Sequence, residues 1–205
     1  MKHYVKTLTL FLLVSVLLGQ TTYVPDDNFE QALIDLGYDD VLDDYVVTDS
    51  ISGVTSLDVG EKEISDLTGI EAFTALTDLD CGGSGSTANQ LTTLDLSNNT
   101  ALTTLYCHGN QLTSLDVSAN TLTELDCSNN QLTYLNMKNG VTDAYTHFSA
   151  QTNDLTCIEV NADDIAYATA NWTNANGNID AGVTFADICY ASNPSYTNVP
   201  DDNFE

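Results

Sequence analysis

Between residues 91 and 137, apolar and polar positions fall into lines of ten or eleven residues that superimpose. Leu91-x-x-Leu94-x-Leu96-x-x-Asn99 is followed by Leu102-x-x-Leu105-x-Cys107-x-x-Asn110. Leu112-x-x-Leu115-x-Val117-x-x-Asn120 and Leu122-x-x-Leu125-x-Cys127-x-x-Asn130 come next. A fifth line, Leu132-x-x-Leu135-x-Met137, loses the Asn in register and ends at Gly140. Leu-x-Leu is a period-two unit, so its two apolar side chains share one face of a short strand and the residue between them points outward. The Leu three residues earlier turns inward again, ahead of the strand. An Asn three residues after the strand can hydrogen-bond backbone groups that the turn leaves unpaired. Stacking the lines puts Asn99, Asn110, Asn120 and Asn130 into buried ladders, a structural role. No line can bury its apolar face alone, so the array is expected to stand only as a stack. The spacing of twenty between Cys107 and Cys127 fits one full coil of two lines, which predicts two parallel sheets on opposite flanks of a thin solenoid.

Upstream the same units recur at wider spacing. Val54-x-x-Leu57-Asp58-Val59 leads to Ile64-Ser65-Asp66-Leu67-x-Gly69-Ile70 and then to Leu76-x-x-Leu79-Asp80-Cys81. Leu-x-x-Leu-x-Leu-x-x-Asn resembles the core of the leucine-rich repeat, firmly over residues 51–140 and more loosely in the flanks. The half-length lines resemble the nested bacterial subclass of about twenty-one residues per coil, and the step from Leu57 to Leu79 is similar to the longer internalin-like coil. The resemblance implies a leucine-rich repeat solenoid with stacked short parallel strands on two flanks, presenting its sheets to a protein ligand. One departure is residues 82–90, Gly-Gly-Ser-Gly-Ser-Thr-Ala-Asn-Gln, which contain no Leu and read as a flexible loop pushed out of one coil. Cys81, Cys107 and Cys127 take the second apolar position of their strands and read as core thiols.

A solenoid end exposes its core unless something covers it. Residues 21–50 read as an N-terminal helical cap, with a helix in the stretch Pro25 to Gly37. Asp27 with Glu30 three residues on suits its start and Gly37 its stop, and Phe29, Leu33 and Leu36 form the covering face. Residues 141–192 read as an α+β C-terminal cap with a last strand over Leu155–Val160, a short helix from Asp163 to Trp172, and a closing segment over residues 179–189. Cys157 and Cys189 are the two cysteines outside the repeat register, and they are expected to pair.

Charge and the chain ends then narrow the partners. The 205 residues hold 30 Asp and Glu against four lysines and no arginine, for a net charge of −26. Phosphate binding needs cationic side chains, so nucleic acid is excluded as a partner. Residues 1–20 combine Lys2, His3 and Lys6, an apolar stretch from Leu8 to Leu18 and a small polar exit. That is the layout of a signal peptide, with an apolar stretch too short to span a bilayer comfortably. The mature protein is expected to be secreted or on the cell surface, with no membrane insertion after signal removal. Tyr23-Val-Pro-Asp-Asp-Asn-Phe-Glu30 returns as Asn198-Val-Pro-Asp-Asp-Asn-Phe-Glu205. Residues 193–205 therefore read as the start of a second, truncated module, with further modules of the same chain expected. Such caps and repeats resemble exported leucine-rich repeat proteins of the Bacteroidota, which implies export by the type IX route.

No catalytic constellation is legible. His3, His108 and His147 sit in unrelated settings, and no zinc, nucleophile-elbow or phosphate-loop motif is present. The chain is expected not to be an enzyme and to need no cofactor. Candidate binding residues are the outward strand positions. One flank offers Asp78, Asp80, Thr104, Tyr106, Glu124 and Asp126; the other offers Thr93, Asp95, Ser114, Asp116, Tyr134 and Asn136. Carboxylates aligned with Tyr106 and Tyr134 suit a basic protein, or a glycan stacking on the rings. Asp39, Asp40, Asp43 and Asp44 are the candidate for weak Ca2+ binding, without the spacing of a calcium hand. The expected function is non-catalytic protein recognition or adhesion. The alternatives are a targeting or spacer module of a larger secreted enzyme and a structural unit of a surface stalk.

Overall fold

The computed structural model describes residues 19–189. Most of the signal-like segment and the recurring segment at 199–205 lie outside the described residues. In chain order the strands are β1 (Thr21–Tyr23), β2 (Tyr45–Val47), β3 (Ser56–Asp58), β4 (Asp78–Asp80), β5 (Thr104–Tyr106), β6 (Ser114–Asp116), β7 (Glu124–Asp126), β8 (Tyr134–Asn136), β9 (His147–Ser149), β10 (Cys157–Glu159) and β11 (Thr184–Ala186). The helices are α1 (Asp27–Asp35), α2 (Thr48–Ile51) and α3 (Ile165–Asn171). Parallel pairing builds two sheets, β3-β4-β5-β7-β9 and β6-β8-β10-β11, so consecutive repeat lines alternate between the two flanks of a solenoid. Each strand turns its middle residue inward: Leu57, Leu79, Leu105, Leu125 and Phe148 are in register through one sheet.

Asparagine side chains join the coils from inside. On the flank of β3 the Nδ2 of Asn110 donates to the carbonyls of Cys81 (3.0 Å) and Cys107 (3.1 Å), one from each of two coils. Its Oδ1 accepts the amide of Leu91 at 3.0 Å. Asn130 repeats this with Cys107, Cys127 and the amide of Leu112, and Asn153 with Cys127, Ala150 and the amide of Leu132. On the opposite flank Asn99 donates to Ile70 and Phe73, and Asn120 to Leu96 and Asn99. A buried carbonyl left without a donor costs about 1–3 kcal/mol, so these amides decide whether a turn can close inside the stack.

The segment 82–90 leaves its coil only in the middle: residues 84–87 are exposed, while Gly82, Gly83 and Asn89 are buried. Asn89 is only 2 % exposed. It accepts the amides of Lys62 and Ile64 and donates to the carbonyls of Val59 and Cys81. It thus heads the ladder that continues through Asn110, Asn130 and Asn153. The glycines before it allow close packing: a Cβ on Gly82 would lie 2.4 Å from Nδ1 of His108. Gly109, at φ +69°, sits where a Cβ would come 1.8 Å from the Gly83 carbonyl.

The line Leu91–Leu96 forms no strand, although its pattern matches its neighbours. Leu91 and Leu96 are buried, but the sheet begins one coil later, at β6. In the preceding coil that flank runs through a 3-10 turn, Ile70–Ala72, with no strand edge to pair with.

At the N-terminal end α1 packs Phe29, Ala32 and Leu33 over the first coil. Its cap is Asp26 rather than Asp27: the Asp26 Oδ1 accepts the amides of Asn28 and Phe29. With the cap one residue earlier, Glu30 no longer reaches back to the helix start and turns inward instead. Leu36, expected on the covering face, is 46 % exposed because it already lies in the helix's closing turn. There the amide of Gly37, at φ +80°, donates to Ile34 and that of Tyr38 to Leu33. Asp26 also ties helix to coil, its Oδ2 accepting from Ser65 N, Ser65 Oγ and Asp66 N.

The C-terminal cap continues the stack. β9 extends one sheet, β10 and β11 the other, so the strand around residue 158 is not the last. Trp172 closes the core against Phe148, Tyr145 and Phe185, with ring centroids 4.4, 5.4 and 5.8 Å away. A disulfide joins Cys157 to Cys189, Cα atoms 5.8 Å apart. Among the described residues no helix is long and apolar enough to cross a membrane.

Two outcomes follow. Asn130→Ala should cost roughly 2–4 kcal/mol in urea denaturation, since it strips buried carbonyls and an amide of their partner. Asn98→Ala, at an exposed position, should leave the midpoint in place. Reducing the disulfide closes no new contact but frees a loop with a sequence separation of 32. Its loss should lower stability by about 3–4 kcal/mol on the loop-entropy estimate; an unchanged denaturation midpoint in reductant would contradict that.

Candidate functional site: the outward sheet faces

Register fixes the outward rows of the β3 sheet. Ser56, Asp78, Thr104, Glu124 and His147 form one row; Asp58, Asp80, Tyr106, Asp126 and Ser149 form the other. Neighbours within a row are separated by the strand spacing of about 4.8 Å. The candidate residues of this flank are therefore brought together on one face, each partly accessible. His147, which sequence reasoning left out, joins them, its ring 6.4 Å from that of Tyr106 in an edge-on arrangement. The signal it lacked was the line pattern: its strand carries Phe148 rather than Leu and follows an irregular insertion.

The strand-end carboxylates have a second task. Oδ1 of Asp58 accepts the amide of Gly60, Oδ1 of Asp80 that of Gly82, and Oδ1 of Asp126 that of Ser128. On the other flank Asp95 accepts from Ser97, Asp116 from Ser118 and Asn136 from Lys138. These Asx turns bend the chain out of each strand, and the Ser97 hydrogen bonds hold the Asp95 carboxyl below the usual range. The aspartate that follows the inward leucine is thus part of the turn as well as of the surface.

Tyr106 donates its hydroxyl proton to Oε2 of Glu124 in the next coil. That bond, then burial and the negative charges of Glu124, Asp126 and Asp80, pushes the phenol up to about 12. The bond ties the Tyr106 ring to the neighbouring strand.

The second flank is more exposed at its start and covered at its end. Thr93, Asp95, Ser114 and Asp116 are exposed, but Tyr134 is only 9 % exposed. Its hydroxyl lies 3.4 Å from Oε2 of Glu159, whose Oε1 accepts the amide of Cys189. Lys138 completes this group, 3.5 Å from Glu159 and 3.4 Å from Asp187. Burial, then the charges of Glu159 and Asp116, pushes the Tyr134 phenol up. Tyr134 therefore belongs to the junction with the C-terminal segment and not to an open binding face.

Inside the coils, Cys81, Cys107 and Cys127 stack in one column with Val59 before them and Ala150 after. Burial pushes all three thiols up, so they stay protonated and unreactive.

In the N-terminal cap the aspartates at 39, 40, 43 and 44 do not come together as one group. Asp44 instead joins Asp27 and Glu30, whose carboxylate oxygens all lie within 4.8 Å of one another. Burial, and then the charges of Glu30, Asp40 and Asp43, raises the Asp39 carboxyl above its ordinary value.

No family model matches the sequence. Over 86 residues it is 40 % identical to internalin J of Listeria monocytogenes, an alignment covering 40 % of this chain and 9 % of that protein. Among solved structures, the functional domain of InlJ from Listeria monocytogenes aligns at 39 % identity with a TM-score of 0.59, covering 69 % of this chain and 31 % of the other. The chain folds as a leucine-rich repeat solenoid. A second internalin, inlF of L. monocytogenes strain 4b F2365, aligns at 16 % identity with a TM-score of 0.48, over 80 % of this chain and 56 % of that one. The leucine-rich repeat chain thus spans less than a tenth of the curated relative. The InlJ domain is described as including a cysteine ladder. These relatives come from Listeria and not from the Bacteroidota.

The Tyr106–Glu124 bond sets a pH expectation. Folding favours the neutral phenol, so its contribution is complete below the ordinary value of 10.0 and is lost as pH rises through about 12. In a spectrophotometric titration Glu124→Gln should move one tyrosine's ionisation from about 12 toward 10. An unchanged alkaline titration curve would show that the bond does not persist in solution.

Proposed function

We propose that this leucine-rich repeat chain is a non-catalytic module of a secreted or cell-surface protein, and that it recognises a protein or glycan partner through the outward face of the β3 sheet. One observation carries the reading: two parallel rows of partly exposed side chains run there in register, with Asp78, Asp80, Glu124 and Asp126 on the strands at and beside Tyr106. Such a face offers carboxylate acceptors to a basic surface and a ring to an apolar group or a sugar. The likeness to internalin J supports a surface role. The basic and apolar start of the chain supports export, with the type IX route and the nested repeat subclass resting on the resemblance of its caps and lines. No nucleic acid fits so acidic a surface. The recurrence of residues 24–30 at 199–205 favours a second reading, in which the module is one unit of a longer array that serves as a stalk or spacer for another domain.

The test is a screen of the purified protein against an extracellular-protein library and a glycan array, repeated with an Asp80→Asn, Tyr106→Ala, Glu124→Gln triple variant. The reading expects a ligand whose affinity falls at least about tenfold in the triple variant, roughly the loss of one well-placed contact. Asp116→Asn, on the opposite flank, should leave it unchanged. A ligand held equally well by the triple variant removes the β3 sheet as the site. An absence of any ligand favours the spacer.

A further inference from the structure

The charge distribution of the N-terminal cap contains a carboxylate that the fold itself does not explain. Glu30 lies in α1 with no exposed surface. Its Oε1 accepts the amides of Asp43 (2.9 Å) and Tyr45 (3.1 Å), which pins the carboxylate against the segment leading into β2. Its Oε2 is buried and has no hydrogen-bond partner. An ionised carboxylate in that position costs several kcal/mol unless a positive charge answers it. Among the described residues the ion pairs are those of Lys138, at the opposite end of the solenoid.

What surrounds Glu30 is more negative charge. Asp27 lies one helical turn before it, on the same side of α1, and Asp44 approaches from the loop that Glu30 itself anchors. One carboxylate oxygen from each of the three residues lies within 4.8 Å of the other two. Two oxygens on opposite sides of a Ca2+ ion, each at about 2.4 Å, are separated by about that distance. Asp27 and Asp44 are exposed, so the side away from Glu30 is open to water, and waters can fill the remaining positions of a coordination shell of six to eight.

We propose that Asp27, Glu30 and Asp44 form a calcium site that fastens helix α1 to the loop before β2. The ion supplies the charge that buried Glu30 lacks and offsets the repulsion among three carboxylates that two separate elements bring together. Calcium fits better than magnesium, because magnesium needs a tighter octahedron at about 2.0–2.1 Å and releases its water reluctantly. Asp27 and Glu30 lie in the segment that recurs near the end of the sequence, where Asp202 and Glu205 hold the same places. The site is independent of the β3 sheet face, and its test does not require the partner of that face.

The experiment measures the melting temperature of the purified protein in chelator, then in about 5 mM CaCl2 or MgCl2 at equal ionic strength. Equilibrium dialysis counts the bound ions. An extracellular-type site with a dissociation constant of about 10⁻⁴–10⁻³ M should bind one ion per chain and raise the melting temperature by about 3–5 °C. Magnesium should give less than half of that rise. Glu30→Gln keeps the Oε1 acceptor for Asp43 and Tyr45, so it should fold, melt no lower than the parent protein in chelator, and lose the calcium response. Asp44→Asn should weaken the response at least about tenfold in calcium concentration, while Asp116→Asn should leave it intact. An unchanged melting temperature in calcium overturns the proposal. So does an equal rise with magnesium, which would be charge screening, or a calcium response that survives in both Glu30→Gln and Asp44→Asn.

Discussion

The structure depends on buried asparagine amides that answer the carbonyls of its turns. Every coil must turn back on itself within about twenty residues, and each turn leaves carbonyls pointing into a core that water cannot reach. Asparagine side chains answer them, on the β3 flank reaching their own coil and the one before it, and at Asn99 and Asn120 the preceding coil alone. Asn89, Asn110, Asn130 and Asn153 thereby join the coils through side chains, in addition to the strand ladders. An apolar residue in these places would bury more carbon, yet it would strand the carbonyls. The leucines can stack inward only because these amides let the backbone between them bend.

The same economy governs the acidic surface. A chain with so few cations cannot neutralise its carboxylates by ion pairs, and much of their negative charge is placed against backbone amides instead. Asp26 at the start of α1, Asp58, Asp80, Asp116 and Asp126 at the strand ends, and Asp95 in the line without a strand all accept N–H groups. For Asp26 partial burial works against ionisation, but the hydrogen bonds from Ser65, Phe29 and Asp66 together outweigh it and hold its carboxyl below the ordinary value. Much of what reads as a solvated acidic coat is therefore also turn chemistry.

The alternation of sheets between two flanks was legible because it depends only on local period: Leu-x-Leu every ten residues, two units per coil. What escaped was whatever depends on the neighbouring coil. Leu91–Leu96 has the strand pattern but no strand beside it to pair with. Asn89 lies in a stretch without leucine, so nothing in its own line marked it as a ladder residue. Tyr134 has the outward parity of a surface residue, and only the later segment ending at Cys189 covers it. Asp27, Glu30 and Asp44 come from a helix and a loop separated by a turn, a juxtaposition that no periodicity encodes. The one-residue error in the start of α1 had the largest consequence, since it cast Glu30 as a helix cap when its carboxylate is instead buried in the protein.

The direction of the strands also determines how the molecule carries load. Strands of three residues lie across the stack, so their hydrogen bonds run along its length. Tension applied between the two ends of the stack pulls on these bonds in series, opening one coil before the next, as a zipper yields tooth by tooth. The crosslink between Cys157 and Cys189 changes that at one end, because the chain between the two cysteines is bypassed by a covalent bond and cannot pay out. Pulled from its ends, such a stack would lengthen in coil-sized steps, with its last turns the stiffest link.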